Sequence, residues 1–130
     1  MSETKKYNAA LYLRLSKEDG DKEESYSISN QRDLGLDYLS RHPEIKLAYT
    51  MVDDGYTGSN FQRPDFQRMI DLITKGKINC VVVKDLSRFA RNYSGSGYYL
   101  EKLFPTMGIR FISINDNIDF LTDDDSNTKL

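Results

Sequence analysis

Apolar runs rich in β-formers alternate along this chain with stretches whose apolar residues recur at helical spacing, and that alternation constrains the fold more than any other feature. "NAALYLRL" (8–15) and "KINCVVVK" (77–84) are nearly continuous apolar runs, as strands buried on both faces require. "IKLAYTMVD" (45–53) and "IRFISIN" (109–115) carry the same signal more weakly. Between them Phe66, Met69, Ile70 and Ile73 fall at i, i+3, i+4 and i+7, with Pro64 suited to the first helical position. Leu100, Leu103, Phe104 and Met107 repeat the spacing, with Gly108 as the stop. A further helix is predicted from about Ser27 to Ser40, with Ser27 as its N-cap. Strands and helices in this order predict an α/β three-layer sandwich: a mainly parallel central sheet of four or five strands with helices on both faces.

With 130 residues, a single folded unit is expected over 1–120, followed by a frayed acidic tail over 121–130 in which the chain looks cut short. Hydrophobic residues at 38% and charged ones at 29% fit an ordinary globular chain, which argues against a membrane protein or a wholly disordered one. The start, "MSETKKYN", has no apolar stretch after its lysines to act as a signal peptide, so a cytoplasmic location is the expectation. The lone cysteine, Cys80, lies inside an apolar run and is read as core. The net charge of −2 provides no overall attraction to nucleic acid, so any such attraction has to be local. Much of the acid is segregated into "KEDGDKEE" and the terminal "DDDSNTKL".

In open α/β sheets ligands gather beyond the carboxyl ends of the strands. The segments at those ends bring Arg14, Ser16, Asp53, Asp54, Arg63, Lys84, Asp85, Ser87, Arg88 and Arg91 toward one rim. Arg14 and Ser16 are two apart, hence on one side of an extended chain. Arg88 and Arg91, if helical, share a face at i, i+3. Guanidinium groups present a planar fork of donors matched to phosphate oxygens, so the rim reads as an anion pocket containing hydroxyls. Arg63 precedes Pro64 and is expected to be extended at a helix N-terminus. Singly, each residue has a plainer reading: Ser16 as a turn residue, the arginines as surface groups paired with Asp53, Asp54 and Asp85. Gln31 falls within the inward stripe formed by Ile28, Leu34, Gly35, Tyr38 and Leu39. A buried amide there either satisfies the sheet backbone or orients groups at the rim.

Several chemistries are disfavoured. The only histidine, His42, sits in "SRHPE" at a helix end, away from the rim, so a Ser-His-Asp triad has no histidine to use. There is no G-x-S-x-G elbow and no P-loop, and "SGSGYYL" lacks the third glycine of a dinucleotide fingerprint. A phospho-receiver domain needs acids where Arg14 and Ser16 stand. A hard cation at Asp53 and Asp54 is disfavoured by the cationic remainder of the rim.

Taken in order, "LYLRLS", "NQR", "VDDGYTGSNFQRPDF", "VVVKDLSRFARN" and "GIRFISINDNID" resemble the catalytic domain of the serine recombinases, the resolvase/invertase family, most of all its large members from mobile elements of Gram-positive bacteria. The resemblance covers roughly residues 7 to 120. It implies that Ser16 attacks a DNA phosphodiester, leaving a 5′-phosphoserine link and a free 3′ hydroxyl. It also implies that Arg14, Arg63, Arg88, Arg91 and Gln31 serve that reaction and that Asp54 matches the acidic residue ahead of the family's [ST]-G. Neither a metal nor any other cofactor is expected, and no small-molecule substrate or membrane. The expected partners are double-stranded DNA recombination sites and, in the full-length protein, further copies of the chain in a homodimer and a synaptic homotetramer. Ser87 stands where many members carry aspartate before the first arginine of the pair, while Asp85 lies two residues earlier; either is a candidate for that aspartate's role. The alternative reading is a recombinase-like module that associates with DNA or partners without catalysis.

Overall fold

The strand that begins at Tyr7 is paired on both sides within the sheet, and its strict alternation of side chains builds two separate cores. The computed structural model describes residues 6–15, 27–54, 63–89 and 98–120. In chain order these form β1 (Tyr7–Leu15), α1 (Ile28–Ser40), β2 (Ile45–Asp54), α2 (Pro64–Thr74), β3 (Cys80–Val83) and the short α3 (Leu86–Phe89). A π-helical turn (Tyr99–Leu103) then runs into α4 (Phe104–Met107), followed by β4 (Arg110–Ser113), a 3-10 turn (Ile114–Asp116) and β5 (Ile118–Phe120). The sheet order is β2-β1-β3-β4-β5, all parallel except β5, which pairs antiparallel with β4. No helix among the described residues is long and apolar enough to cross a membrane.

On one face Ala9, Leu11 and Leu13 of β1 pack with Cys80, Val82, Ile112 and Leu39 of α1. On the other, Ala10 and Tyr12 join Phe66, Met69 and Ile73 of α2 and an aromatic group formed by Phe89, Phe104 and Phe111. Each of the Leu, Ile, Val, Met and Phe side chains taken from water contributes about 1.5–3 kcal/mol. Helices thus cover both faces, as the alternation of strand and helix predicts. Helix α1 reaches β1 closely: a Cβ added at Gly35 would lie 2.5 Å from Cδ1 of the buried Leu11. Its N-cap is Ser27, whose Oγ accepts from Asn30 N at 3.0 Å.

One irregularity sets the site. The β1–β2 register runs Ala9↔Leu47 and then Ala10↔Tyr49, so Ala48 is an extra residue on β2. A bulge of this kind moves every later side chain to the opposite face. Leu47 therefore packs with the α1 core, whereas Tyr49 and Met51 pack with the α2 core, and Asp53 follows them.

Two elements differ from the sequence-based expectation. The strand placed at 77–84 is reduced to Cys80–Val83, because Gly76 turns at φ 79° and Asn79 Oδ1 accepts from Asn8 N at 2.7 Å, locally in place of a ladder bond. The last helix contains a π-helical turn in which Phe104 N bonds Tyr99 O. Pro105 is the physical reason: it has no N–H for the carbonyl four residues back, and the wider turn relieves the clash of its ring with that carbonyl. Gly108 stops the helix in the left-handed region at φ 71°, as expected.

Candidate active site

Helices α1 and α2 lie on opposite faces, so the crevice of the sheet opens where β1 and β3 end. The β1–β3 ladder stops at Leu11↔Val82, while β1 continues beside β2 to Leu15. Past that point the backbone of Arg14 needs other partners on the β3 side. Gln31 supplies one pair: its Oε1 accepts from Arg14 N at 3.2 Å and its Nε2 donates to Arg14 O at 2.9 Å. Arg88 adds a donor to the same carbonyl, through Nη1 at 2.7 Å. The amide of α1 acts as a one-residue extension of the sheet, so both readings of Gln31 hold together: it satisfies strand backbone, and in doing so it holds the rim.

The side chain of Arg14 is fully buried and turns to α3, with Nε donating to Arg88 O at 3.0 Å and Nη2 donating to Ser87 O. Arg63, the N-cap of α2 with extended backbone at φ −117°, ψ 127°, is also fully buried. Its Nη2 donates to Phe89 O at 2.7 Å and its Nη1 to the Tyr12 hydroxyl at 3.1 Å. The guanidinium lies against two rings, 4.9 Å from the Phe66 centroid and 5.7 Å from that of Tyr12. Burial pulls the Arg63 pKa below its ordinary value, opposed by Tyr12 and Asp53. Arg88, 3% exposed, completes the group. These arginines are not the solvated surface groups that the plainer reading assigned; they converge on the α3 turn.

Asp85 and Ser87 divide the support of Arg88 between them. Ser87 Oγ donates to Asp85 Oδ1 at 2.5 Å and accepts from Arg88 Nε at 3.3 Å, while Asp85 Oδ1 also lies 3.7 Å from that Nε. The turn itself is pinned from the 3-10 turn after β4: Asp116 Oδ2 accepts from Leu86 N at 2.8 Å and from Ser113 Oγ at 2.7 Å.

Sequence reasoning placed Asp53 at the rim but passed over Tyr12, and the two make a hub. Tyr12 OH donates to Asp53 Oδ2 at 2.8 Å, and the same carboxylate accepts Phe66 N at 2.9 Å and, through Oδ1, Asp65 N at 3.0 Å. Asp65 reaches back to Val52 N at 2.8 Å. The i, i+2 relation of Tyr12 to Arg14 was a visible signal that the tyrosine shares the arginine's face. The facing of Asp53 depended on the Ala48 bulge and was not visible. Ser16 and Arg91 lie outside the described residues, as does the side chain of Asp54. His42 stands apart, stacked on Tyr38 at 4.0 Å near the end of α1.

Chemically, the rim concentrates buried guanidinium charge on carbonyl and hydroxyl oxygens, an arrangement that favours a further anion. Among the described residues no group of three or more His, Cys, Asp or Glu side chains is gathered to hold a metal ion. A groove of about 510 Å³ lined by Lys46, Tyr49, Lys75 and Lys77 lies at the opposite end of the strands and takes no part in this arrangement.

Comparison with known proteins agrees with this fold. A family model described as "Resolvase, N terminal domain" matches residues 9–129. The chain is 36% identical over 89 residues to the transposon Tn917 resolvase of Enterococcus faecalis, a match that covers 68% of this chain and 45% of that protein. It therefore spans less than half the length of that relative. Among solved structures, it is similar to the N-terminal catalytic domain of TP901-1 integrase, with a TM-score of 0.78 at 27% identity, covering 94% of this chain and 87% of that one. It is similar too to a resolvase family site-specific recombinase from Streptococcus pneumoniae, with a TM-score of 0.70 at 27% identity, covering 95% and 83%.

Proposed function

This chain belongs to the resolvase N-terminal domain family, and we propose that it is the catalytic domain of a site-specific DNA recombinase that cuts and rejoins DNA through a covalent 5′-phosphoserine on Ser16. The observation that carries the proposal is the burial of Arg14, Arg63 and Arg88, drawn from separate strand ends, in one hydrogen-bonded group beyond β1 and β3.

In the proposed reaction the Ser16 Oγ–phosphorus bond forms as the phosphorus–O3′ bond breaks, and the 3′ oxygen leaves as a hydroxyl. Attack by that hydroxyl on the phosphoserine reverses the step on a new strand, so the phosphodiester energy is conserved and no external energy source is required. The transition state carries charge on non-bridging oxygens, which Arg14, Arg63, Arg88 and Arg91 stabilise. Gln31 holds the Arg14 backbone, Asp85 and Ser87 orient Arg88, and Asp54 is assigned a supporting part. The substrate is double-stranded DNA at recombination sites, and the assembly is a homodimer that pairs into a synaptic homotetramer in the full-length protein. The proposed location is the cytoplasm.

The test is the covalent adduct. The intact protein incubated with site-containing DNA yields a protein-linked 5′ end on a denaturing gel, and Ser16→Ala abolishes it. An adduct that survives the substitution overturns the assignment.

A further inference from the structure

Cationic side chains stand at the amino ends of the strands with no carboxylate to answer them. Lys46 of β2 and Lys77 before β3 line the groove of about 510 Å³ at that end, and Lys6 lies just before β1. All three are exposed, and none has an ion pair among the described residues. A fourth lysine, Lys75, differs: it is paired with Asp71 at 2.9 Å and sits at the negative end of α2. The nearby Glu44 is taken by Arg110 at 3.2 Å. The backbone that carries these lysines is fixed. Helix α2 closes in a turn with Gly76 in the left-handed region at φ 79°, where Gly76 N donates to Ile73 O at 3.0 Å and Lys77 N to Leu72 O at 2.9 Å. Asn79 then bonds both backbone groups of Asn8, at 3.0 and 2.7 Å, which holds this turn beside the start of β1. On the other wall the extra residue Ala48 bends β2 at the edge of the sheet.

Such a groove favours an anion, and its lining favours phosphate on an extended backbone. Lysine is a compact charge on a flexible stem that meets a phosphate without the planar match that arginine imposes. The large exposed apolar side chains among the described residues are Leu36, Tyr98, Met107 and Phe120, and none of them lines the groove. Protein interfaces are centred on apolar or aromatic anchors and are depleted in lysine, whereas DNA interfaces are polar and positively charged. We infer that this groove is a second DNA-contact site, in which Lys46 and Lys77 bind backbone phosphates away from the arginine rim. The nine residues of β1 separate the two by roughly 25–30 Å. The inference rests on the recombinase reading proposed above for the presence of DNA, but not for the chemistry. A chain of net charge −2 has no overall attraction to DNA, so unpaired local charge of this kind has to supply it.

The test is the salt dependence of DNA binding by the intact protein, carrying Ser16→Ala so that no strand is cut. Each phosphate contact contributes about 0.9 to the slope of log affinity against log salt, so Lys46→Ala combined with Lys77→Ala flattens that slope by about 1.8. The affinity lost between about 50 and 200 mM salt then shrinks roughly tenfold relative to the parent. The change is the same on site-containing DNA and on a duplex of unrelated sequence, because phosphates carry no sequence information. Lys46→Arg combined with Lys77→Arg keeps the parental slope. With Ser16 intact, the alanine pair forms adduct at the wild-type rate at saturating DNA. An unchanged slope in an alanine pair that keeps its melting temperature overturns the inference and leaves the recombinase reading standing; the lysines then only guard the open edge of β2. A flattened slope in a protein whose wild type makes no adduct keeps the site and removes the recombinase reading instead. Binding of a poly-glutamate peptide that depends on these lysines, with DNA binding unaltered, makes the groove a site for acidic protein and overturns the inference.

Discussion

Two sets of buried arginines stand at opposite ends of this sheet on different partners. Arg110, at the start of β4, meets carboxylates: it is bidentate on Asp119 of β5 at 2.9 and 2.7 Å, lies 3.2 Å from Glu44 and sits 5.0 Å over the Tyr7 ring. Arg14 and Arg63, at the other end of the strands, donate to carbonyls of the α3 turn and to a hydroxyl. The hydrogen bond to Asp119 raises the pKa of Arg110, whereas burial lowers that of Arg63. A guanidinium matched by carboxylates closes a fold and has spent its charge locally. One held mainly by neutral oxygens is oriented while its field remains available to an incoming anion, at a cost in desolvation that a functional site explains.

The largest expected effect separates the two sets by activity. Arg14→Ala and Arg63→Ala lower adduct formation by roughly 10²–10³-fold or more, the scale of losing a transition-state donor. Arg110→Ala leaves the rate per folded molecule within about twofold, measured in single turnover and normalised to the folded fraction by circular dichroism. Equal losses at both ends erase the distinction. Next in size is stability: Arg110→Ala costs about 2 kcal/mol in urea unfolding, since it strands two carboxylates that are only partly shielded from water. Gln31→Leu follows at about 1–2 kcal/mol, because Arg14 N and O each lose a buried partner while the side-chain volume is kept. A cost near zero there shows that the amide is not what extends the sheet.

The smallest effect is a pH dependence. Burial raises the Glu44 carboxyl, but hydrogen bonds from its own backbone N–H and from Arg110 outweigh it and hold the pKa below the ordinary 4.5. A depressed folded pKa means that the stabilisation is fully present above that value and fades as the pH falls through the folded one. Glu44→Gln therefore flattens the acid limb of the stability curve, seen as a smaller difference in melting temperature between neutral and mildly acidic solution. An acid effect that persists in Glu44→Gln must come from other carboxylates.

Much of the fold was legible because its signals are local. The Ser27 cap, Pro64 at the first helical position, the extended Arg63 and the Gly108 stop each follow from one or two residues and their backbone preferences. Gln31 was legible as an anomaly, since its stripe is otherwise apolar, but its partner was not. The π-helical turn before α4 was hidden because apolar spacing does not distinguish it from an ordinary helix, although Pro105 was a usable warning. The Ala48 bulge left no periodic trace strong enough to show which face Asp53 takes.

From the sequence alone came the alternation of strand and helix, the strand ends that carry Arg14, Arg63 and Arg88, and the likeness to a recombinase catalytic domain, because periodicity and motif order reside in neighbouring residues. The tertiary structure alone decided which oxygens those arginines hold. Arg14 and Arg88 are bonded across 74 positions of chain. That contact exists because β3 lies beside β1 but stops pairing with it at Leu11, leaving a backbone that Gln31 and Arg88 must satisfy. Likewise Asp53 reaches Tyr12 because a single extra residue in β2 turns it to the α2 face.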